Sequence, residues 1–345
     1  MIPWTIAQDS PVISPGMLHP PFDQKRAGAA HVVEVEDEYR MVYWGSDPEG
    51  RHFILRADSP IDHPNQWHPV GKPLIGPQPE TAFNCQGPGF PFLLMATDTR
   101  WLLYFTAWGR RPDGRPLNTT GVAVSDDAGT SWHYHAENPI ISLDRSYDAQ
   151  GTGSVWVLRE GDRFRMYYTA IGRYFAKPDG VATGHGDTIP EIGIAYAESE
   201  DGIRWHKPID HLLVAPRGFA VEPYEYICSK PCIIKQQGNY IMWVNTFGTA
   251  YRVHRLISAD GLRWQWAERL GPDGEMGIGA AGCFDDKQRS YQTIIIHRGE
   301  FRCWFTGNGF GTTGMGYAVA RAPECGCDGK VHSLRRNIRH ERRGQ

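Results

Sequence analysis

A short segment rich in aromatic residues recurs five times along the chain. The copies begin at residues 39, 101, 164, 240 and 301 and read YRMVYWG, WLLYFTAWG, FRMYYTAIG, YIMWVNTFG and FRCWFTGNG. An apolar stretch and a short polar turn come before the copies, as in VWVLREGDR before Phe164, and this order predicts one β-hairpin in each repeat. A hairpin that recurs at this spacing restricts the chain to folds built from similar units.

Three of the repeats continue into a further strand and a second signature, GVAVSDDAGTSW at 121–132, GIAYAESEDGIRW at 193–205 and HRLISADGLRW at 254–264. Each unit therefore has about four strands. The chain contains 39 Gly, 25 Pro, 12 Trp, 15 Tyr and 14 Phe, which favours many short strands joined by tight turns. We therefore predict an all-β fold, a five-bladed β-propeller with four antiparallel strands in each blade.

The two ends of the chain complete this prediction. The fifth repeat ends after GMGYAVAR, so the N-terminal stretch WTIAQDSPVI is expected to supply its outermost strand and close the ring. Residues 1–325 would then form a single domain, and residues 326–345 a basic, disordered tail, because the last eleven residues hold five Arg and one Glu.

Charge and hydropathy narrow the possible partners. The formal net charge is −3, and the basic tail leaves the rest of the chain acidic, so no specific nucleic acid is expected as a partner. The sequence shows neither a secretory signal at its N-terminus nor an apolar run long enough to cross a membrane. We predict a cytoplasmic protein that does not bind membranes, and we leave its oligomeric state open.

The seven cysteines lie at irregular spacings and are predicted to be reduced thiols. Neither Cys228 with Cys232 nor Cys325 with Cys327 has the spacing and the second pair that a zinc site needs. We therefore expect no metal and no cofactor.

The Asp-Gly turns of the second signature look like the Asp-box of sialidases, and we predict a local, structural role for them. Asp127 would cap the amides of its turn, and Trp132 would fill the space between neighbouring blades. The turn with Asp201 and Trp205 would do the same.

Longer stretches of the fourth and fifth repeats carry a family resemblance. These are EYICSKPCIIKQQGNYIMWVNT at 225–246 with YRVHRLISADGLRW at 251–264, and GNGFGTTGMGYAVA at 307–320. They resemble a glycoside-hydrolase-like superfamily of five-bladed propellers related to families 32, 43 and 130, and most closely an uncharacterised bacterial branch of it. The resemblance spans residues 20 to 322 and implies the propeller fold, but no particular substrate.

Three positions depart from the pattern of that branch. Lys230 stands where the branch prefers Arg, and Lys287 stands where an acidic residue usually comes four positions before the Tyr of the fifth inner strand. Where a family 43-like enzyme would have Asp-Pro, the first inner strand reads Ala29-Ala30-His31. The usual general base therefore has no equivalent at its usual place.

Carboxylates remain just before several inner strands. Glycosyl transfer to water needs two carboxyl groups, one protonated and one ionised, on either side of the bond that breaks. We predict Glu225 as the general acid, because the flanking Tyr224 and Tyr226 would desolvate it and raise its pKa. Asp23 would be the base, and Asp148 would position the substrate or tune the acid.

The loops after the second strands of two repeats are long, 107–121 and 170–191, and are expected on the ligand side. Aromatic residues there would stack on a sugar, and cationic residues would bind an anionic group. The residues predicted to bind substrate are Lys230, Arg252, Trp44, Trp108, Arg173, His31, Tyr291 and Phe310.

Three functions from different classes follow from these features. The first is a glycosidase-like hydrolase, or a phosphorylase, that acts on a small and anionic glycoside at the mouth of the central channel. The second is a propeller enzyme with other acid–base chemistry, such as a lyase or cyclase in a biosynthetic pathway. The third is a noncatalytic glycan-binding propeller. In each case the partner is a small carbohydrate or a glycosylated metabolite, and the fold alone does not choose between them.

Overall fold

A computed structural model of the protein describes residues 2–8, 10–267 and 273–322, and these residues are almost wholly β-strands and turns. The predicted basic tail, 326–345, lies outside the described residues. In chain order the elements are β1 (Thr5–Ile6), β2 (Arg26–Val35), β3 (Glu38–Ser46), β4 (His52–Pro60), β5 (His68–Pro69), β6 (Gly87–Met95), β7 (Trp101–Arg110), β8 (Pro116–Ser125), β9 (His133–Tyr134), β10 (Gly151–Glu160), β11 (Arg163–Ala176), β12 (Thr188–Ser199), β13 (Ile227–Gln236), β14 (Asn239–Phe247), β15 (Tyr251–Ser258), β16 (Gln265–Trp266), β17 (Ser290–His297), β18 (Glu300–Thr306), α1 (Asn308–Gly311) and β19 (Met315–Arg321). Within the described ranges, no helix is long and apolar enough to cross a lipid bilayer.

The strands form four sheets. Three of them have four strands, in the orders β2-β3-β4-β5, β6-β7-β8-β9 and β1-β19-β18-β17. The fourth runs from β10 to β16, but its strands β12 and β13 pair in parallel, and only through Ile192 and Ile227. This sheet therefore divides into β10-β11-β12 and β13-β14-β15-β16. Apart from the four residues of α1, the regular elements of the described residues are all β-strands, as predicted.

The five aromatic segments coincide with the second strands of these units, β3, β7, β11, β14 and β18. Most of their large side chains are buried, and Tyr104, Tyr167 and Trp243 are fully so. The first strands, β2, β6, β10, β13 and β17, contact one another in chain order, and β17 also contacts β2. The first strands of neighbouring units therefore lie side by side.

The Asp-Gly turns have the local role that the sequence predicts. The Asp201 carboxylate accepts the backbone amides of Ile203 and Arg204 at 2.8 Å, and the Asp127 and Asp260 carboxylates accept equivalent bonds in their own turns. Each of two turns is also tied to the preceding unit, because Tyr104 donates to the Gly202 carbonyl oxygen. Tyr167 donates in the same way to Gly261. These turns hold neighbouring units together.

A glycine lies in the last part of each second strand, or directly after it, and packs under the loop that leads into the first strand. A Cβ atom added at Gly45, Gly109, Gly172, Gly248 or Gly307 would come within 3.2 Å of the carbonyl oxygen of an aromatic residue. Those aromatic residues are Phe22, Phe83, Tyr147, Tyr224 and Phe284. The residue after each of them is buried and polar: Asp23, Asn84, Asp148, Glu225 or Asp285.

This close approach makes Gly109 sensitive to substitution. Gly109→Ala would bring a methyl group to 2.2 Å from the Ala82 carbonyl oxygen, so we expect the free energy of unfolding to fall by about 1–3 kcal/mol. Gly186→Ala is the matched control, because a Cβ atom there meets nothing within 4 Å. Urea denaturation of both variants tests this, and equal stability of the two would contradict the packing account.

Candidate functional site

Each first strand carries a β-bulge near its start. The pairing register shifts between Gly28 and His31, and likewise at the corresponding place in β6, β10, β13 and β17. The bulged pairs are Ala29-Ala30, Phe90-Pro91, Gly153-Ser154, Lys230-Pro231 and Tyr291-Gln292. A bulge bends its strand and redirects side chains, which is why bulges often lie beside functional sites.

The first residue of four of these bulges has a positive φ: 49° at Ala29, 48° at Phe90, 45° at Lys230 and 52° at Tyr291. Polar side chains of neighbouring units bind the backbone amides that the bulges release. Thr306 accepts from Ala29, Thr169 from Lys230 and Asn245 from Tyr291, at 2.8–3.0 Å. Such support offsets the strain of these conformations, so the bulged residues are held in fixed positions.

A cavity of about 430 Å³ opens over the bulges. Phe90, Gly153, Ser154, Lys230 and Tyr291 contribute to its wall from the bulges themselves. The other lining residues lie on the second and third strands, at the start of β2 and at α1: Arg26, Trp44, His52, Thr106, Trp108, Asn118, Thr169, Ile171, Ile192, Ile227, Ser229, Tyr251 and Phe310. This lining contains no Asp and no Glu.

Two cations face this cavity. The Lys230 amine donates to the carbonyl oxygen of Gln292 at 3.2 Å, and the Arg26 guanidinium lies 4.3 Å from the centre of the Trp44 ring. Within the described parts of the chain, neither side chain forms an ion pair with an acidic residue. Burial lowers the pKa of Lys230 to about 8, because a desolvated ammonium is less stable than a hydrated one.

Aromatic rings form much of the remaining wall. The ring centres of Trp44 and Trp108 lie 4.6 Å apart, and Tyr291 stacks on Phe310 with ring centres 5.7 Å apart. His52 packs against Trp108, and its Nδ1 accepts a hydrogen bond from the Trp44 indole at 3.2 Å. Burial lowers the pKa of His52 to about 4, so the ring is neutral at physiological pH.

Two polar atoms of the wall have no hydrogen-bond partner among the described residues, the Arg26 Nε and the Thr106 hydroxyl oxygen. The hydroxyl oxygen of Thr106 is buried and forms no hydrogen bond with any described residue. Thr106 is the counterpart, in the second aromatic segment, of Thr169 and Thr306, whose hydroxyls accept the amides of Lys230 and Ala29. Because a buried polar atom without a partner costs free energy, a ligand atom that bonds to Thr106 would be favoured there.

The structure places the predicted base, Asp23, outside the lining of this cavity. The carboxylate is fully buried, and its Oδ2 accepts from the Tyr43 hydroxyl at 2.9 Å and from the His19 amide at 3.1 Å. These bonds hold the loop that leads into β2. The placement departs from the expectation of a carboxylate that faces substrate.

Asp148 is also fully buried and lies outside that lining. Its Oδ2 accepts from the Lys207 amine at 2.6 Å and from the Tyr168 hydroxyl at 2.9 Å, and its Oδ1 accepts the Arg145 amide. The ion pair joins loops that are 59 residues apart. Asp148 therefore stabilises the loop before β10.

The predicted acid, Glu225, lines a second cavity of about 330 Å³. Arg217 binds it through its backbone amide and its guanidinium, with Nη2 to Oε2 at 2.6 Å. An ion pair of this kind favours the ionised carboxylate, whereas a general acid must carry a proton. Arg252, predicted to bind substrate, lines the same second cavity.

The other predicted binding residues are divided between the two cavities and the rest of the structure. Trp44, Trp108, Lys230, Tyr291 and Phe310 line the first cavity together. His31 lies outside both linings: its Nδ1 accepts from the Leu93 amide, and its ring packs on Phe92 at 4.1 Å. Arg173 is exposed and pairs with Glu191 at 3.1 Å. Hence five of the eight come together.

Arg26, His52 and Thr106 were not among the predicted residues, although they line the first cavity. The position of Thr106 in the repeated segment is a signal that could have identified it, because the corresponding Trp44 was predicted. Arg26 begins β2, and its sequence context differs little from that of any strand that starts with a charged residue. Among the described residues, no group of three or more His, Cys, Asp or Glu side chains is placed to hold a metal ion.

The chain has sequence relatives of similar length. It is 31% identical over 286 residues to the uncharacterized protein MT1551 of Mycobacterium tuberculosis, and the match covers 82% of this chain and 88% of that protein. The uncharacterized protein Rv1502 of the same species is 30% identical over the same length and coverage. The chain belongs to the family of these mycobacterial proteins. No family model matches the chain.

Solved structures of glycoside hydrolases share the fold of this chain. A glycosyl hydrolase from Bacteroides ovatus superimposes with a TM-score of 0.68 at 15% identity, over 93% of this chain and 96% of that one. A thermostable family-43 glycoside hydrolase gives a TM-score of 0.63 at 13% identity, over 91% and 95%. At these identities the likeness shows the fold alone, a glycoside-hydrolase-like propeller.

Proposed function

We propose that the first cavity binds a small anionic carbohydrate, such as a sugar phosphate or a sugar acid. One observation carries this proposal: Arg26 and Lys230 face the cavity without an acidic partner among the described residues, and the lining contains no carboxylate. A buried cation without a counter-ion is costly, and an anionic ligand would remove that cost.

The neutral part of the wall suits the rest of such a ligand. Trp44, Trp108 and Phe310 offer apolar faces on which a sugar ring can stack, and Asn118, Ser229 and Thr106 offer polar atoms for its hydroxyl groups. A volume of about 430 Å³ is in the range of small-molecule sites. These features support a ligand with one anionic group and one sugar ring.

We propose that this cavity is the mouth of the channel of a five-bladed propeller formed by residues 1–325. The contacts of β17 with both β13 and β2, and the pairing of β1 with β19, support a closed ring. The division of the seven-stranded sheet at Ile192 and Ile227 supports the count of five. A cytoplasmic location stays a prediction.

Glycosidase-like hydrolysis is a second candidate, located in the second cavity. The observation that favours it is the presence of Glu222, Glu225 and Asp273 in one lining, beside Arg252 and His254. Catalysis by two carboxylates would need one of them to carry a proton, so Glu225 could act as the acid only if it were released from Arg217. The ion pair of Glu225 with Arg217 makes this candidate the weaker one.

Calorimetric titration with glucose 6-phosphate and with glucose tests the first proposal. Lys230→Met should weaken binding of the phosphate by ~1.5–3 kcal/mol, because it removes a hydrogen bond to a charged group. Arg26→Gln should act in the same direction, and binding of glucose should hardly change for either variant. Equal losses of affinity for both sugars would remove the anion site.

Glu225→Gln is the matched control, since Glu225 lines only the second cavity. This variant should bind glucose 6-phosphate as the wild type does. If it lost binding or hydrolysis while Lys230→Met and Arg26→Gln kept both, the second cavity would be the functional one.

A further inference from the structure

We infer that the Lys230 amine forms a reversible imine with an aldehyde group of the bound ligand, so that Lys230 acts as a nucleophile in the first cavity. The inference rests on the proposed function, because the cavity must first capture the ligand through its anionic group. It adds a chemical requirement, namely a ligand that carries both an anionic group and a carbonyl carbon.

The backbone around Lys230 holds this residue in a fixed position at the cavity wall. The residue occupies the β13 bulge with a φ of 45°, and its amide is bound by the Thr169 hydroxyl at 3.0 Å. Pro231 follows and fixes its own φ, so the backbone on both sides is restrained. The side chain is 5% exposed and contributes to the cavity wall. Its amine is thus held in a confined space where a ligand would lie.

The Lys230 amine has fewer hydrogen-bond acceptors than the other buried lysine of the described residues, Lys207. The Lys230 amine has one described acceptor, the Gln292 carbonyl oxygen at 3.2 Å. Lys207, the other described lysine that is buried to this degree, donates to Ser142, Asp144 and Asp148 within 2.7 Å. A lysine with three acceptors is held as an ammonium, whereas a neutral amine needs no more than the one acceptor that Lys230 has.

Burial is what favours a free amine at Lys230, and it lowers the pKa of that amine to about 8. The thiols of Cys232 and Cys303 act in the opposite direction and raise the pKa of Lys230, but by less than burial lowers it. Burial also raises the pKa of both thiols, so they are neutral at physiological pH. The remaining titratable groups nearby or in the wall are neutral or cationic: His31, His52, Arg26, Tyr251 and Tyr291.

The proposed step balances without a further reactant. The nitrogen lone pair attacks the aldehyde carbon, the carbonyl oxygen takes up a proton, and the nitrogen loses one, which gives a carbinolamine. Loss of the hydroxyl group as water then forms the carbon–nitrogen double bond. Hydrolysis reverses the step and frees the ligand. A protonated imine keeps the positive charge of the ammonium, so it remains compatible with an anionic ligand.

Reductive trapping tests the inference. The protein is incubated at pH 7.5 with D-glyceraldehyde 3-phosphate and sodium cyanoborohydride, and the labelled lysines are identified by peptide mass mapping. We expect Lys230 to be labelled at least ~10-fold faster than the exposed Lys72. At pH 7.5, an amine with a pKa of about 8 is free roughly a hundredfold more often than an amine with the ordinary lysine pKa of 10.5. Labelling of Lys230 should saturate and should be blocked by glycerol 3-phosphate.

Lys230→Arg is the control variant, because it keeps the cation and removes the primary amine. It should give no adduct at position 230, while the exposed Lys72 is labelled as in the wild type. If the wild type binds glycerol 3-phosphate but Lys230 is labelled no faster than Lys72, the imine is refuted and the anion site stands. If neither phosphate binds and labelling does not saturate, both proposals fail.

Discussion

Lys230→Met should make the protein more stable in the absence of ligand, by on the order of 3 kcal/mol at pH 7. The pKa of Lys230 falls from 10.5 to about 8 in the folded chain, and each unit of such a shift corresponds to about 1.4 kcal/mol. Methionine has a similar shape and carries no charge, so it removes the cost of burying an unpaired ammonium. Urea denaturation at pH 7 measures the difference.

The free energy of unfolding of the wild type should depend on pH in a way that the Lys230→Met variant does not share. Between pH 8 and 10.5 the unfolded chain holds the lysine proton more tightly than the folded chain does, so the stability of the wild type should rise with pH over this window. The stability of Lys230→Met should not show that rise. Lys207→Met is the matched control, since Lys207 is equally buried but paired with Asp148, and we expect it to lose stability. A Lys230→Met variant less stable than the wild type would contradict the account.

Asp148→Asn should destabilise the fold by about 3–5 kcal/mol, because it leaves the buried Lys207 ammonium without its main counter-ion. Binding of a sugar phosphate in the first cavity should be unchanged for the molecules that remain folded, since Asp148 does not line it. Thermal or urea denaturation gives the first quantity, and calorimetry at low temperature gives the second.

Asp144, which pairs with the same lysine, provides the control for this prediction. Asp144 also pairs with Lys207, at 2.7 Å, but its side chain is 60% exposed, and exposed ion pairs contribute about 1 kcal/mol or less. Asp144→Asn should therefore have a small effect. If Asp148→Asn folded normally but lost ligand binding or turnover, its catalytic role would be restored.

The fold could be read from the sequence because its hairpins are local. The predicted aromatic segments begin at 39, 101, 164, 240 and 301, and each start lies at or one residue inside the first residue of β3, β7, β11, β14 or β18. Alternation of side chains in a buried strand and a tight turn before it leave a clear trace in the sequence. The pairing of Thr5 and Ile6 with β19 is not local, and it was predicted because the fifth repeat lacks an outermost strand of its own.

The site was less predictable, because bulges and ion pairs depend on contacts that are distant in sequence. A shift of the pairing register does not change the composition of the strand in which it occurs. Nothing in the sequence therefore indicated that Lys230 and Tyr291 occupy equivalent bulges. The partner of Asp148, Lys207, lies in another loop 59 residues away, and Arg217 pairs with Glu225 across eight residues of the loop before β13. An aromatic residue followed by Asp, Asn or Glu occurs once in each unit, and this repetition, which entered none of the predictions, is a signal for a structural role.

A crystal structure of the protein soaked with glucose 6-phosphate tests the central claim most directly. We predict that the phosphate lies in the first cavity, in contact with Arg26 or Lys230, and that the sugar ring lies against Trp44, Trp108 or Phe310. A sugar phosphate bound in the second cavity, beside Glu225 and Arg252, would contradict the account, as would a first cavity left empty at saturating ligand.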